Sequence, residues 1–147
     1  MLKRTSLILV LSFAFAALPL FAQDGMHLTA NVPFPFIVEG KVLPAGQYEF
    51  WQTSANNESD WRIRDLKNGS QEQTVFETED ENSTVPQPST TIDFVKYGDH
   101  YYLSDMWTLQ GEEGWHVPVK LERQEMAKNL KPTIVKVPAE VESGVRG

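Results

Sequence analysis

The stretch Asp60-Trp-Arg-Ile-Arg-Asp-Leu-Lys-Asn-Gly-Ser-Gln-Glu-Gln-Thr-Val-Phe-Glu-Thr78 reads as two strands around a tight turn. Asn68-Gly69 suits the two left-handed central positions of a type I′ turn, whose twist matches that of the strands it joins. Pairing Lys67 with Ser70 places Trp61 opposite Phe76 and Ile63 opposite Thr74. The other face then carries Arg62 opposite Val75 and Arg64 opposite Gln73. Because side chains alternate with period two, this register sends Trp61, Ile63 and Phe76 into a core and both arginines outward. Asp65 falls opposite Glu72, a mild repulsion at the end of the pairing.

Working upstream, Gly46-Gln-Tyr-Glu-Phe-Trp-Gln-Thr53 is joined to Asp60 by Ser54-Ala-Asn-Asn-Glu-Ser59, so the two strands are expected to pair as a hairpin. One parity puts Trp51 opposite Arg62, Phe50 opposite Ile63 and Glu49 opposite Arg64. It collects the apolar residues on one face and an opposite-charge pair on the other, whereas a slip of one residue buries Glu49 beside Ile63. Trp51 then faces outward with Arg62 near its ring, close enough for a cation–π contact of about 0.5–1 kcal/mol. Trp51, Glu49, Arg62 and Arg64 are therefore the candidate binding residues, suited to stacking on a sugar or on a partner protein. The competing expectation is that a helix over residues 119–130 lies on Trp51 and makes it a second small core.

The remaining elements follow the same logic. Met26-His-Leu-Thr-Ala-Asn-Val32 alternates apolar and polar, the mark of a half-buried strand. Phe34-Pro-Phe-Ile-Val38 is interrupted by prolines, which cannot donate to a ladder, so it belongs at an edge or a bend. Leu43-Pro-Ala-Gly46 is a turn with proline at its second position. Residues 79–90 read as a polar loop. Residues 92–97 and 100–108 form a second hairpin around Gly98-Asp99, a glycine-first pair that suits a type II′ turn. Its register pairs Tyr97 with His100, Phe94 with Leu103 and Ile92 with Asp105. Trp107 then shares the face of Phe94, while Val95, Tyr97, Tyr102 and Met106 share the other. Beyond Pro118, Leu121, Met126, Ala127 and Leu130 share a helical stripe that ends before Pro132. Residues 131–147 carry prolines and valines without an aromatic anchor and are expected to form a mobile tail. Seven short strands and one C-terminal helix predict an all-β antiparallel sandwich or partly closed barrel.

The N-terminus bears on where the chain goes. Met1-Leu-Lys-Arg4 is basic, residues 7–20 are almost wholly apolar, and small Ala22 precedes polar Gln23-Asp-Gly25. This is the layout of a secretory signal peptide over residues 1–22, leaving one domain over 23–130 and the tail over 131–147. An apolar run of about 17 residues is at the lower limit for a spanning helix, so no membrane span is expected after cleavage. The 147-residue chain has a net charge of −7, from 13 basic and 20 acidic side chains. Loss of Lys3 and Arg4 makes the mature chain more acidic still, which disfavours nucleic-acid phosphate as a partner. The absence of cysteine excludes disulfides, zinc–thiolate sites and thiol nucleophiles.

Three segments in matching order resemble a known pattern: Val32-Pro-Phe-Pro-Phe-Ile-Val-Glu-Gly40, Leu43-Pro-Ala-Gly-Gln-Tyr48 and Tyr97-Gly-Asp-His-Tyr-Tyr-Leu-Ser-Asp-Met-Trp107. The chain is similar to a family of small uncharacterised secreted β-proteins of environmental Gram-negative bacteria. Leu121-Glu-Arg-Gln-Glu-Met-Ala127 resembles the charged segment near the end of those proteins. Phe94-Val-Lys-Tyr97 departs from the more basic stretch at that place. The resemblance implies secretion to the periplasm or beyond and an all-β fold; it implies no reaction.

Candidate chemistry is sparse along the chain. His27, His100 and His116 are not at metal-site spacing, and no His-Glu-x-x-His occurs. Asp99, His100, Ser104 and Asp105 lack a nucleophile elbow, and Ser104 and Asp105 are expected on opposite faces. Glu77, Glu79, Asp80, Glu81 and Asn82 lack the alternation and glycine of a calcium loop. No catalytic, metal or cofactor residue is therefore assigned. The expected function is a secreted, non-catalytic binding or structural module of the bacterial envelope, with an unknown protein or glycan partner. The alternative is a small hydrolase with a hidden carboxylate or histidine site.

Overall fold

The structure is a computed structural model that describes residues 25–54, 56–67, 72–118 and 128–142. It is all-β, with eleven strands in one curled, open sheet shaped as a half-barrel. The strands are β1 (His27–Val32), β2 (Phe36–Val38), β3 (Lys41–Leu43), β4 (Gly46–Ser54), β5 (Asn57–Asp65), β6 (Thr74–Glu77), β7 (Glu79–Asn82), β8 (Thr91–Tyr97), β9 (His100–Trp107), β10 (Glu113–His116) and β11 (Thr133–Val141). Along the main path the order is β3-β2-β9-β8-β11-β1-β4-β5-β6, and β10 joins β9 to β7. All described pairings are antiparallel except one contact between β2 and β9, at Ile37 and Tyr102.

Both registers around β5 follow from side-chain parity. Trp61 pairs with Phe76 and Ile63 with Thr74 across β5 and β6. Phe50 pairs with Ile63, Trp51 with Arg62 and Glu49 with Arg64 across β4 and β5. The alternative parity would move Phe50 out of the core, and the loss of that burial decides the register. The interior is filled by Trp61, Tyr48, Phe36, Phe50, Phe76 and Phe94, all fully buried. Trp115 on β10 meets Trp61 edge to face with ring centres 5.1 Å apart, joining the two arms of the half-barrel.

The second hairpin holds its register only in part. Tyr97 pairs with His100 and Phe94 with Leu103, and Gly98 takes the positive φ of 59° that its turn requires. The pairing then shifts: Asp93 faces Asp105 and Ile92 faces Met106. Ser104 is the extra residue of this bulge; its hydroxyl donates to the Asp93 carbonyl at 3.1 Å and its own carbonyl accepts from Val117 N–H at 2.7 Å. The extra residue reverses parity beyond it. Met106 enters the core with Ile92, and Trp107 turns to the outer face, where its ring leaves no room for a Cβ at Gly114.

Three expectations are corrected. The described residues form eleven strands and not seven: β3, β7 and β10 are short runs not read as strands that nonetheless pair, and β11 lies in the expected tail. No helix occurs among the described residues; the expected helix falls mostly on residues 119–127, which lie outside them, and Lys128 and Asn129 form a turn. Of the edge or bend expected for the proline-flanked segment the bend is what occurs, at Phe34 between Pro33 and Pro35, and β2 after it lies one strand in from the edge, with β3 outside it. Within the expected tail, residues 133–141 form β11, which lies between β8 and β1. It pairs with β8 through Pro138 and with β1 from Ala139, so proline's missing donor falls where the strand passes from one neighbour to the other. The domain therefore runs to at least Val141. A single residue, Thr78, separates β6 from β7, and its N–H still donates to Ser59 of β5 at 2.8 Å. The chain thus crosses directly from β5 at one end of the sheet to β10 near the other.

Candidate functional site

The outer face of β1, β4 and β5 gathers most of the binding residues expected from sequence. Alternation turns Glu49 and Trp51 outward together, and pairing sets Arg64 beside Glu49 and Arg62 beside Trp51. Glu49 is only 4 % exposed. Burying a carboxylate is costly unless it is paired and hydrogen-bonded, and here the Arg64 guanidinium supplies both functions. Arg64 Nε donates to Glu49 Oε2 at 3.1 Å, and a second guanidinium nitrogen reaches the same oxygen. His27 Nε2 faces the other oxygen, Oε1, as an ion pair when the ring is protonated.

Trp51 is half-buried, with the Arg64 guanidinium carbon 5.3 Å from its ring centre. The cation over the indole is thus Arg64, not Arg62 as expected. Arg62 instead reaches along its own face, donating from Nη1 to Gln73 Oε1 at 2.8 Å, while its Nε is buried with no partner. His27 was not selected from sequence. It stands directly across from Trp51 on β1, with ring centres 6.3 Å apart. The alternation of β1 marks His27 as outward, but nothing local in the sequence says that β1 lies beside β4.

The cluster offers a half-exposed indole edge and a fixed guanidinium. That combination suits recognition by stacking. The suspected hydrolytic group is not assembled: Ser104 is buried at the bulge and bonded to the backbone, and Asp105 is engaged with His116.

A second group lies on the outer face of β7, β9 and β10. His116 pairs with Asp105 on one side and with Glu79 on the other, while Glu81 pairs with Gly114. Each of Glu81, Asp105 and His116 offers one ligand atom, and these atoms all lie within 4.8 Å of one another. The sequence pattern missed this group because its members come from three strands, one of them, β7, read as part of a polar loop.

No family model, curated protein or solved structure matches the chain. No helix among the described residues is long and apolar enough to cross a membrane.

Proposed function

We propose that the protein is a secreted, non-catalytic binding module of the bacterial envelope that uses the face around Trp51 to hold a protein or glycan partner. One observation carries the reading: Trp51 keeps part of its ring in solvent although Glu49, Arg64 and His27 fix everything around it. A rigid, half-exposed indole beside a cation is a low-entropy contact surface. The filled interior supports a surface contact over a carrier cavity for an apolar ligand. The signal-like N-terminus supports export.

Pull-down from native envelope with the purified protein, with mass spectrometry and a glycan array as readouts, tests the proposal. Trp51→Ala is expected to lose the captured partner while keeping the wild-type melting temperature within about 2 °C, as for a surface change of a few tenths of a kcal/mol. The ligand is also expected to quench fluorescence in the wild type and much less in Trp51→Phe. Equal capture by wild type and Trp51→Ala removes this face from the function.

A further inference from the structure

We infer that Glu81, Asp105 and His116 form a divalent-cation site, filled best by zinc. The three residues stand on β7, β9 and β10, adjacent strands whose outward side chains share one surface. Their ligand atoms lie within 4.8 Å of one another, and His116 Nδ1 is 2.8 Å from Asp105 Oδ1. Zinc bonds of about 2.0–2.2 Å to nitrogen and oxygen place ligand atoms roughly 3.3 Å apart in a tetrahedron. Small side-chain rotations reach that spacing from the observed one. All three side chains are half-buried, which leaves a path for the ion and an open fourth position.

A separate observation points to a missing cation. Asp93 on β8 is directly opposite Asp105 on the same side of the sheet. Like charges directly opposite destabilise a strand pair. Lys136 binds Asp93 Oδ2 at 2.7 Å from the far side, but Asp93 Oδ1 is buried without a partner in a residue only 3 % exposed. The row Lys136–Asp93–Asp105–His116 therefore sets two adjacent carboxylates against one fixed cation, Lys136, and Glu81 beside Asp105 and His116 adds a third carboxylate. A divalent ion held by Asp105, His116 and Glu81 balances that excess.

The donor set selects the ion. One imidazole and two carboxylates suit zinc, whereas calcium and magnesium prefer an all-oxygen shell. Among first-row metals zinc stands above manganese and iron for such ligands, and it accepts three protein ligands plus water without a planar geometry. The ion would tie β7 to β9 across β10, at the point where the continuation of β6 meets the other arm of the half-barrel. Its part is a clasp.

The test is calorimetric titration of the tag-free, chelator-stripped protein with zinc chloride, paired with thermal melts. One zinc per chain is expected, with a rise in melting temperature and no response to calcium or magnesium chloride. His116→Gln and Glu81→Gln are each expected to weaken zinc binding at least ten-fold while keeping the β-type circular dichroism spectrum; His100→Gln is expected to bind as wild type. Should His116→Gln fail to fold, Glu81→Gln on the outer strand carries the comparison. Absence of stoichiometric zinc binding overturns the inference, as does unchanged binding in Glu81→Gln or loss of binding in His100→Gln.

Discussion

On β1, β4 and β5 the outward carboxylate of Glu49 lies between two basic side chains, His27 and Arg64. On β8, β9 and β10 two outward aspartates, Asp93 and Asp105, share Lys136 and His116. Both groups sit on the same curled sheet and use the same residue types. In the first the carboxylate is held by its neighbours and the atom left buried without a partner is a donor, Arg62 Nε, so what the group would offer a partner is the indole beside it. The second leaves a buried oxygen unsatisfied, and what it offers is negative charge. The surface proposed to recognise a partner and the surface proposed to hold an ion thus differ in how completely their carboxylates are answered.

The largest test of that comparison removes the strand that connects the two regions. A chain ending at residue 131 lacks β11 and exposes the edges of β8 and β1 together. It is expected to lose cooperative thermal unfolding and to aggregate, as followed by circular dichroism and light scattering. A truncated protein that melts like the full chain would show that the two arms are independent.

Trp61→Ala strikes the core beneath both regions, since Trp61 touches Phe76 on one arm and Trp115 on the other. A loss of about 3–5 kcal/mol in denaturant unfolding is expected. Arg64→Ala should cost about 1–3 kcal/mol, because it strips hydrogen bonds from a buried carboxylate. Glu81→Gln in metal-free buffer is expected to stay within about 0.5 kcal/mol of wild type. Equal costs for these two substitutions would erase the distinction between the saturated and the unsaturated group.

A further effect is confined to high pH. The Tyr48 hydroxyl donates to the Pro44 carbonyl at 2.6 Å; burial first, and the Asp65 carboxylate second, push its pKa from 10.0 up to about 12. Between those values the unfolded chain has released a proton that the folded chain keeps. The stabilisation is fully present below pH 10 and is lost as pH rises toward 12. Tyr48→Phe is expected to flatten that part of the stability profile, measured by denaturant titration at intervals from pH 9 to 12.

Much of the first group was legible in the sequence. The hairpins of β4–β5 and β5–β6 are local, and placing Phe50, Trp61, Ile63 and Phe76 on one side leaves a single parity, which also sets Glu49 against Arg64. Which arginine covers Trp51 was not legible, because Arg62 and Arg64 both face outward and the choice depends on side-chain reach. The second group was hidden for three reasons. The bulge at Ser104 changes parity without a glycine to announce it. Glu79-Asp-Glu-Asn82 has the composition of a loop and becomes a strand only because β10 lies beside it. Thr133-Ile-Val-Lys-Val137 has the β-branched residues of a strand, yet most of them remain exposed, with Ile134 at 55 %, so no buried stripe marked it.

The position of β11 also orders events in time. Leu28 pairs with Val141 and Phe94 with Val135, so β1 must wait for a partner that a ribosome delivers long after it. Until then β1 and β8 each present an unsatisfied ladder, and pairing across so long an intervening chain is slow. Nascent chains are open to edge-to-edge association during that wait. A holding chaperone that recognises extended apolar strands would have its greatest value here between the emergence of β1 and that of β11.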